Sequence, residues 1–354
     1  MEVNKKRWLC GGTAAALALA LAVAGIVCWF RTNRVPPPKT SIRIGVALYR
    51  GDDTFISTVR AALEERAKAY EQETGIKVVM DIVDAKLNQN TQNSQVERFI
   101  SLGYDALCVN IVDRSAASII IDKAMDAGIP VVFFNREPVE EDMNRWEKLY
   151  YIGADAKESA VLQGNILVDA YKKDPSCLDR NGDGMVSYVL LEGESSHQDS
   201  LIRTEWSIQT LKDGGVPLEK LTGGIANWER SQASAWMEQW ISEYPEQIEL
   251  VICNNDDMAL GAIDAIKRAN IPRGAIKVVG IDGTPVGKEA LAAGDLFGTV
   301  ESDREQYARV IFDIAAALAL GKGVPEDIHL DGSALPARSA SHTIPGTAPL
   351  LLPA

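Results

Sequence analysis

Positive charge is scarce in this sequence, which has 36 Lys and Arg residues against 49 Asp and Glu residues and a formal net charge of −13. Nucleic acids select basic surfaces, so this balance argues against a nucleic-acid partner. Net acidity favours solubility and does not by itself identify a partner. The 5 cysteines show no spacing typical of a zinc site or a disulfide framework.

Nucleotide-binding motifs are absent as well. No GxGxxG segment follows the first strand-like run, and neither GxxxxGKS nor GxxxxGKT occurs anywhere in the 354 residues. A dinucleotide site and a nucleoside triphosphate site therefore have no support from a motif.

One long uncharged hydrophobic run lies near the N-terminus. It covers residues 8–30, directly follows a basic cluster at residues 5–7, and is long enough to span a bilayer. The basic cluster predicts that the chain before the run stays in the cytoplasm and that the rest is exported. The run fits a retained membrane anchor, a cleaved signal peptide or a lipoprotein signal ending at Cys28. We expect the protein in the periplasm or at the outer face of the cytoplasmic membrane, anchored by this segment or by a lipid.

Short apolar runs alternate with segments of helical periodicity from residue 41 onwards. The strand-like run IRIGVAL, for example, precedes the helical segment DTFISTVRAALEERAKAYEQET. Near-continuous apolar strands separated by helices indicate parallel sheets that are covered on both faces. The number of units exceeds one compact core, so we predict an α/β fold with two Rossmann-like three-layer α/β/α domains.

Polar and aromatic side chains follow the predicted strands at their carboxyl ends, where open α/β sheets bind ligands. Carboxylates, amides and an Arg suit a polyhydroxylated ligand, since each sugar hydroxyl both donates and accepts a hydrogen bond. Aromatic rings can lie against the apolar C–H surface of a sugar ring. The candidates are Asp52, Asp53, Phe55, Asn110, Asp113, His197, Asp199, Arg203, Trp228, Asn254, Asn255, Asp256 and Asp282.

Each of these positions also has a structural interpretation. An Asp or Asn after a strand is often a helix N-cap, and His197 or Trp228 taken alone is typical of packing. An enzyme is a further alternative, because paired carboxylates in a cleft can hydrolyse a glycoside. Nothing in the sequence indicates a raised-pKa acid opposite a nucleophile, and hydroxyl binding accounts for all of these residues. We therefore do not predict an enzyme.

The segment LDRNGDGMVS is similar to the start of a calcium-binding loop. Asp179, Asn181 and Asp183 occupy positions 1, 3 and 5. Gly184 at position 6 allows the sharp turn. An EF-hand loop ends with a bidentate Glu at position 12, where this chain has Leu190. Either the segment is a simple turn, or the closing carboxylate comes from a distant part of the chain.

Seven segments resemble the bacterial periplasmic galactose/glucose-binding proteins, which are type I periplasmic binding proteins. They are IGVALYRGDDTF, CVNIVD, PVVFFNREP, YYIGADAKES, DRNGDGMVSYVLLEGESSHQD, CNNDDMALGAIDAIK and VVGIDGTP. The resemblance runs from about residue 42 to about residue 330. It implies two domains that are joined by three crossovers at a hinge and close on a monosaccharide. The expected divisions are 1–40 (basic stub, membrane or signal segment and proline-rich tether), 41–131 with 303–332 (N-terminal lobe), 132–302 (C-terminal lobe with the calcium loop) and 333–354 (tail).

The resemblance also implies which residues bind. Phe55 and Trp228 would sandwich the sugar ring, and Asp53 would meet its O4 side, so both D-glucose and D-galactose are expected. Glu249 would supply the missing carboxylate to a structural Ca²⁺ site. The implied sugar contacts are Asp53, Phe55, Asn110, His197, Asp199, Arg203, Trp228, Asn255 and Asp282. The implied Ca²⁺ ligands are Asp179, Asn181, Asp183, the Met185 carbonyl, the Ser187 side chain and Glu249.

The sequence departs from this pattern in two places. Ser302 stands where the family has an Asn, and Ser has a shorter reach than an amide, so one sugar contact is expected to change. The tail at 333–354 contains four prolines and no clear alternation. Proline is unfavourable in a central strand, so we expect this tail to be disordered or poorly packed.

Such proteins deliver sugar to an ABC permease, and some also report to a chemoreceptor. We therefore predict a monomeric sugar-binding protein of an ABC importer. The alternative is a sensory ectodomain that acts on a chemoreceptor or a sensor kinase. A sugar-responsive transcription repressor shares the fold but needs an N-terminal helix-turn-helix, whereas residues 1–40 contain the apolar run.

Overall fold

The computed structural model describes residues 39–324 together with residues 350 and 351. The hydrophobic run at residues 8–30 and most of the tail lie outside the described residues, so the expectations for them stay predictions. Within the described part of the chain, no helix combines the length and the apolar character that crossing a membrane requires.

The first lobe is built on a five-stranded parallel sheet with the order β2-β1-β3-β4-β5. Along β1, Ile44 and Val46 face one helical layer and Ala47 faces the other, as the two-residue period of a strand requires. Position 45 is a glycine, and the ring of Phe99 occupies the space that a side chain there would need. The strands are β1 (Ser41–Leu48), β2 (Lys77–Asp84), β3 (Ala106–Val109), β4 (Val131–Phe134) and β5 (Leu149–Ile152). The helices of this part of the chain are α1 (Thr54–Thr74), α2 (Gln89–Ser101), α3 (Ser118–Ala127) and α4 (Glu140–Met143).

The second lobe repeats the scheme with a four-stranded parallel sheet of order β7-β6-β8-β9. Its edge at β9 is extended by single bridges from Val279 to Gly298 and from Asp282 to Glu301. The strands are β6 (Val186–Glu192), β7 (Leu218–Ile225), β8 (Leu250–Cys253) and β9 (Lys277–Val279). The helices are α5 (Ala156–Lys173), α6 (Gln198–Asp213), α7 (Arg230–Glu243), α8 (Asp256–Arg268) and α9 (Pro285–Ala292).

The chain then returns to the first lobe. After β10 (Thr299–Val300), helix α10 (Arg304–Ala319) buries its apolar face in the same core as β1 and α1. The ring of Phe312 is 1% exposed and meets the ring of Tyr70 edge-on at a centroid distance of 5.4 Å. The first lobe is therefore assembled from two separate stretches of sequence.

The first crossover lies later than the sequence predicts. The expected boundary between residues 131 and 132 is corrected by the structure, because β4 and β5 both pair within the sheet of the first lobe. The runs PVVFFN and YYIGAD are recognisable as strands. However, their apolar character does not indicate which of the two sheets they join. The chain leaves the first lobe after Ile152.

Two residues of the tail are described. Leu350 and Leu351 form β11, which pairs antiparallel with Val300 and Thr299 of β10. Neither of them is proline, so both have a backbone N–H group that can pair. The expectation of a disordered or poorly packed tail stays a prediction.

Replacing Phe312 with Ala tests the docking of α10 on the first lobe. We expect the free energy of unfolding to fall by about 3–5 kcal/mol, because a large buried ring is removed and a cavity remains. Urea denaturation followed by circular dichroism measures the change. Leu201→Ala, at a side chain that is 56% exposed, is the control and should change little. A loss below about 1 kcal/mol for Phe312→Ala would contradict the packing described here.

Candidate functional site

A cavity lies between the two lobes, at the carboxyl ends of both parallel sheets. Its empty volume is about 510 Å³, a figure that includes the open mouth. Side chains from both lobes line it, so the complete site exists only when the lobes approach each other. The lining residues are Tyr49, Asp53, Phe55, Ile56, Asn135, Arg136, Ala154, His197, Asp199, Arg203, Trp228, Asn255, Asp282 and Tyr307.

Eight of the nine residues that the sequence assigns to sugar binding line this cavity, and Asn110 does not. Asn110 is fully buried and lies behind the wall. Its Nδ2 donates to the carbonyl of Phe134 at 3.2 Å and to Oδ1 of Asn135 at 3.1 Å. Asn135 lies at the cavity surface instead, so Asn110 holds the position of a lining side chain in this structure.

The lining residues Asp53 and Asn255 also cap helices. Asp53 accepts a hydrogen bond from the backbone N–H of Ile56 at 2.8 Å, at the start of α1. Asn255 does the same for Met258 at the start of α8, at 3.0 Å. The structural interpretation is therefore correct for these positions, and both side chains also line the cavity. The N-termini of α1 and α8 therefore lie at the cavity. The positive ends of the two helices favour electron-rich groups there.

Arg203, one of two buried arginines that line the cavity, lies between two carboxyl groups. Arg203 is 6% exposed and donates from Nη1 to the carbonyl of Asn254 at 2.8 Å. The same nitrogen is 3.5 Å from Oδ1 of Asp282, and Nη2 is 3.7 Å from Oδ2 of Asp199. These ion pairs are long, and Nε of Arg203 has no hydrogen-bond partner in the described residues. The group retains donor capacity for a ligand.

Burial changes the acidity of the two carboxyl groups beside Arg203. Desolvation raises the pKa of Asp199 to about 6, against an ordinary value of 3.8, although the nearby Arg203 charge opposes this shift. Burial also raises the pKa of Asp282 well above 3.8, again against the effect of Arg203. Both carboxylates are costly to keep charged in an empty cavity. Hydroxyl groups that donate to them relieve this cost.

His197 is neutral in this site. Burial lowers the pKa of His197 well below 6.5, and the positive charges of Arg136 and Arg203 lower it further. Its Nδ1 lies 3.9 Å from Oδ1 of Asp199, but without a proton on that nitrogen the two do not form an ion pair. Nδ1 accepts from the backbone N–H of Asp199 at 3.2 Å. The ring hydrogen is therefore on Nε2, which makes His197 a donor.

Aromatic rings come from both lobes. Trp228 has a positive φ of 64°, an uncommon conformation for a bulky residue. Gly193 leaves room for its indole, since a Cβ atom at Gly193 would collide with the six-membered ring. Nε1 of Trp228 is buried without a hydrogen-bond partner in the described residues. In the first lobe, Phe55 and Tyr307 have their ring centroids 6.2 Å apart.

Sequence reasoning missed several lining residues. Asn135 and Arg136 directly follow β4, so the rule that identified the other candidates applies to them as well. Tyr49 directly follows β1 in the same way. Tyr307 lies in α10 after the last crossover, and no local signal in the sequence places it in the cavity.

Comparison with known proteins places this arrangement in a family. The model of the periplasmic binding protein domain matches residues 44–323. The D-galactose/methyl-galactoside binding periplasmic protein of Haemophilus influenzae is 37% identical over 285 residues, covering 80% of this chain and 83% of that protein. A putative rhizopine-binding protein of Rhizobium meliloti is 33% identical, with coverage of 81% and 87%. The chain belongs to the periplasmic binding protein family.

Solved structures agree with this family assignment. A solute-binding protein of an ABC transporter from Bacillus halodurans, with bound myo-inositol, superposes on this binding protein with a TM-score of 0.68. It is 29% identical, and the match covers 82% of this chain and 92% of that one. Two parallel-sheet α/β lobes are typical of the type I fold, so the predicted fold class is confirmed. Members of this family bind substrates and are not enzymes, and the family is that of exported, periplasmic proteins.

The calcium-like loop of this binding protein receives a carboxylate from a distant part of the chain. Glu249, which is 1% exposed, accepts from the N–H groups of Asn181 at 3.0 Å and Ser187 at 2.9 Å. Asp179 accepts from Gly182 at 2.8 Å and Gly184 at 3.0 Å. These carboxylates bond to backbone N–H groups rather than converging on one point.

A metal site is not apparent from side-chain positions alone. Among residues 39–324, no group of three or more His, Cys, Asp and Glu side chains is arranged to hold a metal ion. The donors gathered at the loop are all oxygens, which is the ligand chemistry that Ca²⁺ prefers. The expected Ca²⁺ site therefore stays a prediction.

Asp199→Asn tests the buried charge in the cavity. Between about pH 4 and pH 6 the folded protein keeps a proton on Asp199 that the unfolded chain has already released. The contribution of Asp199 to stability therefore falls as the pH rises through this window, and above pH 6 the charged side chain destabilises the ligand-free protein. We expect the variant to melt at a higher temperature than the wild type at pH 7.5.

Thermal unfolding without ligand, at pH 4 to pH 8, measures this difference, which should shrink towards pH 4. Asp122→Asn, at an exposed ion pair with Arg145 outside the cavity, is the control. A melting temperature that falls at pH 7.5, or a gain that does not depend on pH, would show that the Asp199 charge is not the destabilising group.

Proposed function

We propose that this periplasmic binding protein holds one hexose, D-galactose or D-glucose, between its lobes and delivers it to an ABC importer. The observation that carries the proposal is the buried Arg203 between two carboxylates, with Nε directed to no protein acceptor. A sugar hydroxyl can accept from such an arginine and donate to a neighbouring carboxylate at the same time.

The remaining groups complete a polyol site. His197 presents a donor on Nε2, and Asp53 presents a carboxylate from the opposite lobe. The unpartnered N–H of Trp228 adds another donor beside an aromatic face. A hexose offers several hydroxyls and an apolar ring surface, so it can satisfy these groups together. A purely apolar ligand would leave them buried and unpaired.

The relatives support the ligand class and differ in the ligand itself. One is a galactose-binding protein, and another holds myo-inositol. The galactose relative is the more similar in sequence, which favours a hexose. Ser302 is not among the lining residues; its N–H donates to the carbonyl of Asp282 at 3.1 Å. We therefore expect no direct contact between the Ser302 side chain and the sugar.

Calorimetric titration of residues 41–354 tests the ligand class. We expect 1:1 binding of D-galactose or D-glucose with a dissociation constant of about 1 μM or lower, which corresponds to about 8 kcal/mol of binding free energy. D-ribose and myo-inositol are titrated under the same conditions and should bind more weakly. Tighter binding of myo-inositol than of either hexose would move the assignment to cyclitols, and no binding of any of the four would overturn it.

Asp282→Ala tests the site map. We expect affinity for the preferred hexose to fall about 10- to 100-fold, because hydrogen bonds to a charged group contribute roughly 1.5–3 kcal/mol. Asp122→Ala removes a carboxylate from the surface of the first lobe and should leave affinity unchanged. Unchanged affinity in Asp282→Ala, with a melting temperature like that of the wild type, would exclude Asp282 from the contacts.

We also propose that the loop at Asp179 holds a structural Ca²⁺ ion. Asp179, Asn181, Asp183 and Glu249 would supply side-chain oxygens, and the ion would tie the loop to the start of β8. Binding would then stabilise the second lobe without contact with the sugar. The support is the oxygen donor set and the approach of Glu249 to the loop.

Asp183→Asn separates calcium binding from loop folding. Asp183 is exposed, and Asn can still accept the hydrogen bond from the Met185 N–H, which is 2.9 Å from Oδ1 of Asp183. Extracellular calcium sites have dissociation constants of up to about 1 mM, so the test uses about 1 mM CaCl₂. We expect this addition to raise the melting temperature of the chelator-treated wild type and to have little effect on the variant. MgCl₂ is the control ion. No calcium effect on the wild type would exclude the site.

A further inference from the structure

Two ion pairs cross from one lobe to the other on either side of the cavity. Arg136 of the first lobe forms a bidentate pair with Glu194 of the second, at 2.7 Å and 2.6 Å. Arg50 of the first lobe pairs with Glu229 of the second. In both cases the first lobe supplies the arginine and the second supplies the glutamate. Neither glutamate lines the cavity.

The arginine of the first pair also has contacts within its own lobe. The guanidinium of Arg136 lies over the ring of Tyr49, with Cζ 3.8 Å from the ring centroid, and its side chain is only 5% exposed. The Tyr49 hydroxyl donates to Oδ2 of Asp53 at 2.6 Å. These contacts are all within the first lobe, so the arginine does not depend on the second lobe for its orientation. Little side-chain entropy is lost when Glu194 arrives.

The second pair is arranged in a related way. Nε of Arg50 lies 3.2 Å from Asp52, and Nη2 lies 3.6 Å from Asp53, both in the first lobe. Its partner Glu229 precedes α7 and follows Trp228 in the chain. The pair therefore joins the two lobes at the residue next to Trp228, whose ring lines the cavity. The Arg50 side chain is 13% exposed and that of Glu229 is 32% exposed, so this pair is more open to solvent than the first.

From this geometry we propose that Glu194 and Glu229 are positioning residues that set the closure of the lobes without touching the ligand. The proposal rests on the proposed function for its ligand, since closure matters for holding a hexose. The pairs favour the closed state and slow release of the sugar. Glu194 has the larger effect, because its pair is bidentate and more buried.

The experiment uses Glu194→Gln, Glu229→Gln and the double variant, which retain the side-chain shape and remove the charge. Small-angle X-ray scattering of the ligand-free proteins measures the opening, and stopped-flow fluorescence with D-galactose and D-glucose measures release. We expect a larger radius of gyration for the double variant and release about 10- to 100-fold faster than in the wild type. Glu194→Gln should account for most of the change.

Salt distinguishes a charge pair from a structural effect. At 1 M NaCl the screening length is about 3 Å, and salt screens exposed pairs more than buried ones. The more exposed Arg50–Glu229 pair should weaken, so the wild type should open relative to 50 mM NaCl, whereas the double variant should not respond. Glu205→Gln, at an exposed position on the same lobe, controls for net charge. The same opening in Glu205→Gln, or scattering of the double variant identical to that of the wild type at both salt concentrations, would overturn the proposal. If no sugar binds to the wild type, the proposed function is wrong. Scattering of the ligand-free proteins still tests whether the two glutamates hold the lobes together.

Discussion

The buried charge of Arg203 is the constraint on which the site depends. An arginine that is 6% exposed needs acceptors, and it obtains them from the Asn254 carbonyl and from two carboxylates at longer range. Each carboxylate in turn is costly to keep charged where it lies, as the raised pKa of Asp199 shows. The protein thus leaves part of the hydrogen-bonding capacity of Arg203 and its two carboxylates unused. A ligand with many hydroxyls uses this capacity, which links the electrostatics of the cavity to the class of ligand.

Two residues of the site also stabilise the fold. Asp53 and Asn255 cap helices through one oxygen and line the cavity at the same time. The capping contact fixes each side chain whether or not a ligand is present. Backbone strain also occurs in this region, at Trp228 with φ 64° and Asp282 with φ 119°. Such outliers persist where the surrounding structure holds them, and they are frequent at binding sites.

Division into two lobes separates the folding of each part from the formation of the site. Each sheet has its own core, and the cavity contributes little apolar burial to either of them. A small number of polar contacts cross the cleft, including the Arg136–Glu194 pair and the 3.2 Å contact between Nε2 of Gln198 and the Tyr151 hydroxyl. Small free-energy differences between open and closed states let a ligand shift the population.

Local patterns were sufficient to predict the strands, the helices and most of the cavity wall. Apolar runs identify buried strands whatever sheet they join, and polar residues after a strand reach the same edge of a parallel sheet. For this reason Asp53, Asp199 and Asp282 could be named from the sequence. Asn135 and Arg136 also follow a strand directly, so the same rule predicts them.

Other features depend on contacts that no local pattern contains. The assignment of β4 and β5 to the first sheet, the insertion of Tyr307 from α10, and the position of Asn110 behind Asn135 follow from how distant segments pack. The pairing of Glu194 with Arg136 is of the same kind, because it joins residues 58 positions apart on different lobes. The sequence by itself determined the secondary structure, the two-lobe class and the chemical character of the cleft, since these depend on residue type and short-range spacing. The tertiary structure decided which strands share a sheet and which side chains line the cavity, since these depend on long-range packing.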